Sequence, residues 1–90
     1  MTDKYKISPE FGGEARKLIE QALKQSRLPE GVSIVSSLEP EIDKAEKPFI
    51  VVTSSPEWRH ARQAFQKGAL DYIRNSYDVD DLTAQFNKKR

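Results

Sequence analysis

The apolar run Phe49-Ile50-Val51-Val52 constrains this chain more than any other stretch. Four consecutive apolar residues, three of them β-branched, suit a strand covered on both faces, as in a parallel sheet. A strand of that kind needs layers above and below it. Thr53-Ser54-Ser55 breaks the run and Pro56 follows, a pattern that predicts a helix capped by Ser55 with proline in its first turn. Trp58, Ala61, Ala64 and Phe65 recur at helical spacing, and Gly68 ends the helix. Ala69-Leu70-Asp71-Tyr72-Ile73 reads as a second short strand. Positions 47–77 therefore form one strand–helix–strand unit.

The rest of the chain continues the same alternation. Tyr5-Lys6-Ile7 is a short strand candidate, followed by a Pro- and Gly-containing loop from Ser8 to Gly13. Ala15, Leu18, Ile19, Ala22 and Leu23 form one apolar helical stripe. Val32-Ser33-Ile34-Val35 reads as another strand. Leu38 to Lys47 reads as an acidic loop with one helical turn around Glu41 to Ala45. Asp78 is placed to cap a last helix with Val79, Leu82 and Phe86 on one face. Strands alternating with helices predict an α/β fold with a mainly parallel sheet. Nothing marks a boundary within the 90 residues, so one domain is expected over 1–90. Its expected core is Ile7, Leu18, Ile19, Ala22, Leu23, Ile34, Ile50, Val51, Val52, Ala61, Phe65, Ala69, Ile73, Leu82 and Phe86.

Charge narrows the function classes. Fifteen basic residues stand against 14 acidic ones, so no strong field points to nucleic acid or a membrane surface. The tail Lys88-Lys89-Arg90 reads as a solvated end. The chain has no cysteine, hence no disulfide framework, thiol nucleophile or cysteine-based metal site. No apolar run approaches the ~20 residues of a membrane span, and a cytoplasmic protein is expected. His60 is the single histidine, and Ser54-Ser55 has no readable His–Asp partnership, so a conventional enzyme is disfavoured. Gly12-Gly13 before a helix is only a weak phosphate signal, because no P-loop lysine accompanies it and Glu10 would repel an anion. No cofactor is expected.

Gly68-Ala69-Leu70-Asp71-Tyr72-Ile73, with Thr53 ending the strand before the helix, resembles the last half of a receiver domain, the phosphoacceptor module of two-component response regulators. The likeness covers Lys47 to Phe86. It implies a small flavodoxin-like three-layer sandwich with four strands ordered second, first, third, fourth, and about three helices. The first helix would lie on one face and the last two on the other. The resemblance also implies a switch pair at Thr53 and Tyr72.

The chemical positions of the family are altered. An acceptor aspartate, an acidic magnesium pair after the first strand and a lysine after the last strand are needed. Glu10 is the only acid left near the first position, and a solvated loop glutamate is the competing reading. Ser37-Leu38-Glu39-Pro40 echoes the family's Asp-Leu-x-x-Pro with serine in place of aspartate. Alternatively, the acceptor strand is missing altogether. The lysine position falls on Asn75, which brings no positive charge.

The expectation is a truncated, non-catalytic receiver-like signalling domain that works by protein–protein interaction without aspartyl phosphorylation. Its partner face would carry Arg59, Arg62, Arg74, Tyr77, Asp80 and Asp81, the arginines and tyrosine being types enriched at hot spots. The partner is a protein, with a weak homodimer as one form; an unpaired edge of the last strand would invite it. Trp58 reads as core packing, or else as a partner anchor. Two alternatives stay open: a working phosphoacceptor on Glu10 or Asp43, and an unrelated thioredoxin-like or sugar-transport phosphocarrier-like domain whose receiver likeness is accidental; an antiparallel final strand would rule out the receiver fold.

Overall fold

The computed structural model describes residues 5–37 and 39–87, and the side chains of Glu39 and Glu41 are not part of that description. Residues 1–4, Leu38 and the basic tail lie outside it. The described chain forms β1 (Lys6–Ile7), a 3-10 turn (Pro9–Phe11), α1 (Gly12–Gln25), β2 (Ser33–Val35), α2 (Glu39–Lys44), β3 (Phe49–Thr53), α3 (Trp58–Gln66), β4 (Ala69–Arg74) and α4 (Val79–Phe86). The four strands make one sheet and every neighbouring pair is parallel. β4 is parallel to β3, so the antiparallel final strand that would rule out a receiver fold is not formed.

Strand order is β1-β2-β3-β4, which corrects the expected order of second, first, third, fourth. Burial explains the difference. Ser33, Ile34 and Val35 are all buried, so β2 needs a neighbour on each side and a layer on each face. The two-residue β1, with Lys6 exposed and Ile7 half-buried, is what the sheet places at its edge. β1 aligns Ile7 with Ile34, and the Ser8 N–H extends the ladder to the Ile34 carbonyl at 2.9 Å.

Side-chain alternation along the strands divides the core into two layers. Ile34, Ile50, Val52 and Ile73 meet Ile19, Ala22 and Leu23 of α1 and Leu82 and Phe86 of α4. On the other face Val35, Phe49 and Val51 meet Ile42 of α2 and Ala64 of α3. The result is a three-layer sandwich. It has four α-helices where about three were expected, because Glu39–Lys44 forms a true short helix anchored by Ile42. The expectation that the last two helices share a face is also corrected: α4 joins α1. Its buried Leu82 and Phe86 belong to the same apolar layer as Val52 and Ile73, which bury their side chains on that face.

Each connection moves one strand in the same direction across the sheet. The first passes over the α1 face, the next two over the α2/α3 face. The first crossover therefore has the opposite hand to the others, although about 98% of such connections are right-handed.

Local signals explain most element ends. Asp78 accepts the Asp80 N–H at 2.9 Å and caps α4 as expected. α3, however, is capped at Glu57 without a side-chain bond, and Ser55 lies two residues ahead, its N–H turned to Thr53. Gly68 follows α3 with φ +101, and a Cβ there would come within 2.6 Å of the Lys47 side chain. Gly68→Ala should therefore lose about 1–2 kcal/mol from the left-handed backbone alone, read as a lower urea midpoint with an unchanged slope.

Several expected core positions sit outside it. Phe65 is 50% exposed and Trp58 71% exposed. Ile7, Leu18 and Ala69 are half-buried but pack against the two core layers, and Ala61 is half-buried. α3 approaches the sheet through its small residue Ala64, so its large side chains project from the flank rather than into the layer. Leu70 lies at a register shift in β4, where Phe49 pairs with Ala69 but Ile50 with Asp71, and it is left exposed.

Candidate functional site

In a parallel sheet the strands all end on one rim, and ligands and partners meet α/β folds there. Here the rim is lined by Ser8 after β1, Ser36 and Ser37 after β2, Thr53 to Ser55 at the end of β3, and Asn75 and Ser76 after β4. Hydroxyls and one amide dominate it. Glu10 is exposed on the 3-10 turn, and its N–H donates to Ser8 Oγ at 3.2 Å. It lies beyond β1, at the opposite edge from Asn75. Three strand spacings separate those edges, about 14 Å. Asp43 is exposed on α2 and ion-paired with Lys67. Among the described residues, no three His, Asp or Glu side chains converge as a metal-ligand set.

Thr53 and Tyr72 face the same side of the sheet, since β3 and β4 align Val51 with Tyr72 and Thr53 with Arg74. They hold the two ends of one loop. Thr53 Oγ1 accepts the Ser55 N–H at 3.2 Å, and the Tyr72 hydroxyl oxygen accepts the Glu57 N–H at 3.5 Å. Thr53 is buried, and Tyr72 packs its ring against the Val35–Ile42–Phe49–Val51–Ala64 cluster. The start of α3 is thereby tied to both strands. Asn75 is half-buried, and its N–H donates to the Thr53 carbonyl at 2.7 Å, so its backbone continues the β4 ladder.

The residues expected on the partner face come from three adjoining elements. β4 is the edge strand, α3 covers one face of the sheet and α4 the other. Arg59, Arg62, Arg74, Tyr77, Asp80 and Asp81 are all exposed, Tyr77 at 85%. Trp58, Arg62 and Phe65 lie at positions i, i+4 and i+7 along α3 and so share one flank. From Trp58 to Lys67 there are three fixed positive charges, Arg59, Arg62 and Lys67, and no carboxylate. Lys67 pairs with Asp43, and His60 lies 3.7 Å from Glu57. Among the described residues neither Arg59 nor Arg62 makes an ion pair.

One expectation about this face is corrected. The rim end of the β4 edge is not left open: Gln85 of α4 bonds both backbone groups of Arg74. Nothing in the sequence marks Gln85, which looks like an ordinary solvated helix position. The exposed aromatic flank was also missed, because Trp58 and Phe65 share helical spacing with the alanines that do face the sheet.

No family model, curated protein or solved structure matches the chain. No helix among the described residues is long and apolar enough to cross a membrane.

Proposed function

We propose that this chain is a receiver-like protein-interaction domain that has lost phosphotransfer and docks a protein partner on the α3–β4–α4 face. The observation that carries the interaction reading is the exposed flank Trp58–Arg62–Phe65 beside Arg59, with Tyr77, Arg74 and the α4 acids across the same edge. An ordinary monomer surface scatters apolar residues singly; large aromatics grouped with unpaired arginines have the composition of a hot spot.

The receiver likeness draws support from the topology. Receivers wind their strands in the order second, first, third, fourth, fifth. Removing the second strand with its following helix leaves first, third, fourth, fifth, side by side and in chain order. The first helix would keep its original face, which is how a crossover of the other hand arises without any strand reversing. This is the pattern of β1-β2-β3-β4 with α1 and α4 together. On that alignment β2 stands for the acceptor strand, and Ser37 takes the aspartate position. Gly68 to Ile73 then occupies the turn and strand where the family motif belongs.

The rim supports the loss of phosphotransfer. At the positions that the resemblance assigns to the aspartate and the lysine, Ser37 and Asn75 carry a hydroxyl and an amide in place of a carboxylate nucleophile and a cation. The chain should therefore take up no stable phosphoryl group from acetyl phosphate with magnesium. Asn75→Lys alone should not change that. Intact-mass spectrometry checks both, and a single phosphorylated carboxylate at Glu10 or Asp43 would reinstate the phosphoacceptor reading. The docking reading is tested by capture from an extract of the source cells. Wild type should retain a protein that the Trp58→Ala/Arg62→Glu double variant does not; equal capture by both would remove the face. A second copy of the chain using the same patch is the weak-homodimer form of this proposal, and sedimentation distinguishes it from a heterologous partner.

A further inference from the structure

We propose that the β4 edge is a latent self-pairing surface, held closed in the monomer by the Gln85 carboxamide. The proposal stands on the backbone geometry of β4 and is independent of the α3 flank.

β4 spans Ala69–Arg74 and ends the sheet on its outer side. A strand of that length, roughly 20 Å, presents a row of peptide groups to solvent and invites another strand. The direction of each group can be read from the ladder. The Asn75 N–H reaches the Thr53 carbonyl at 2.7 Å, so position 75 turns toward β3. Alternate residues of a strand turn the same way, so 73 and 71 also face β3. Arg74 and Tyr72 face outward, while Leu70 lies at the register shift where this alternation breaks.

The outward groups near the rim are met by side chains. Arg74 N–H donates to Gln85 Oε1 at 3.1 Å, and Gln85 Nε2 donates to the Arg74 carbonyl at 2.8 Å. A carboxamide carries the same donor and acceptor as a peptide unit. Gln85 therefore occupies the place that a residue of an added strand would take. The Tyr72 N–H, the next outward group, donates to Asp71 Oδ1 at 2.8 Å. Gln85 is held in position by its chain neighbour Phe86 and by Leu82, both fully buried. Opening the edge needs the Gln85 side chain to swing away from Arg74 and the Tyr72 N–H to leave Asp71, not an element to unfold.

The occupant that fits the opened edge is β4 of a second copy. Two copies of one strand related by a two-fold axis pair antiparallel and are self-complementary. A register centred on Tyr72 sets Tyr72 against its own counterpart, a favourable aromatic cross-strand pair. The same register sets the two copies' Arg74 on opposite sides of the Tyr72 pair, which keeps the two arginines apart.

The test compares wild type, Gln85→Ala and Gln85→Ala/Arg74→Pro by sedimentation over a concentration series. Circular dichroism confirms the fold of each. Proline at 74 removes an outward N–H and should be tolerated at an edge. Gln85→Ala should self-associate with a dimer constant at least about tenfold tighter than wild type, since two competing hydrogen bonds are gone. The added proline should reverse this. The effect should persist in an Arg62→Glu background, which separates it from the charged docking face. A monomeric Gln85→Ala, or association undiminished by Arg74→Pro, overturns the proposal. In wild type the Arg74 amide should exchange slowly with deuterium despite its edge position. Rapid exchange there overturns the clamp even if Gln85→Ala does not fold.

Discussion

Phe86→Ala is expected to destabilise the domain by about 3–5 kcal/mol. Phe86 is fully buried and ends α4 in the layer shared with Ile19, Leu23, Val52 and Ile73. Truncation removes most of a side chain from a site closed by helices on one side and the sheet on the other, so little can collapse into the space. A domain of this size has a net stability of only about 5–15 kcal/mol. The variant should therefore lose a large fraction of its stability and unfold at a clearly lower urea midpoint and melting temperature. Phe65→Ala provides the matched contrast: with the ring half in solvent, the same chemical change should cost well under half as much. Urea unfolding of the two variants beside wild type gives both numbers. A loss at Phe65 equal to that at Phe86 would mean that α3 is rotated to bury its aromatic flank.

The pair also shows what the sequence could specify and what it could not. β3 was legible because four apolar residues in a row can only be satisfied by cover on both faces. Gly68 and Asp78 were legible because a left-handed turn and a helix cap each demand a residue type. The α3 orientation was not. Its spacing admits two neighbouring stripes, one of alanines and one of aromatics, and periodicity alone cannot say which faces the sheet. Close helix–sheet contact favours the small one, and Ala64 takes it. Strand order failed for another reason: it was carried over from the family's winding and right-handed crossovers, whereas Ser33, Ile34 and Val35 of β2 are all buried. β2 is thereby an interior strand, and β1 takes the edge. The Gln85 clamp has no periodic or compositional signature, since it depends on where α4 lands relative to the edge. Of the candidate site, the arginines, the α4 acids and Tyr77 were legible and the Trp58–Phe65 flank was not; the loop grip by Thr53 and Tyr72 required the register.

The docking face leads to the second large effect, on binding rather than folding. Trp58→Ala should weaken binding of the captured partner by about thirtyfold, roughly 2 kcal/mol, the range of an aromatic hot spot. Trp58 is 71% exposed, so removing it takes little from the core, and stability should stay within about 0.5 kcal/mol. Arg62→Glu should act differently. It places a negative charge one turn along the same flank, which should slow association and reverse the salt dependence while changing dissociation less. Trp58→Ala should instead act mainly on dissociation, because an apolar anchor contributes once water has been expelled. The two substitutions lie one turn apart and should couple, so the double variant should lose less than the sum. Surface-immobilised partner, with association and dissociation read separately at low and physiological salt, measures each of these. Wild-type affinity in Trp58→Ala would place the contact elsewhere on the molecule. A loss confined to association in both variants would reduce the flank to a steering patch with no anchor.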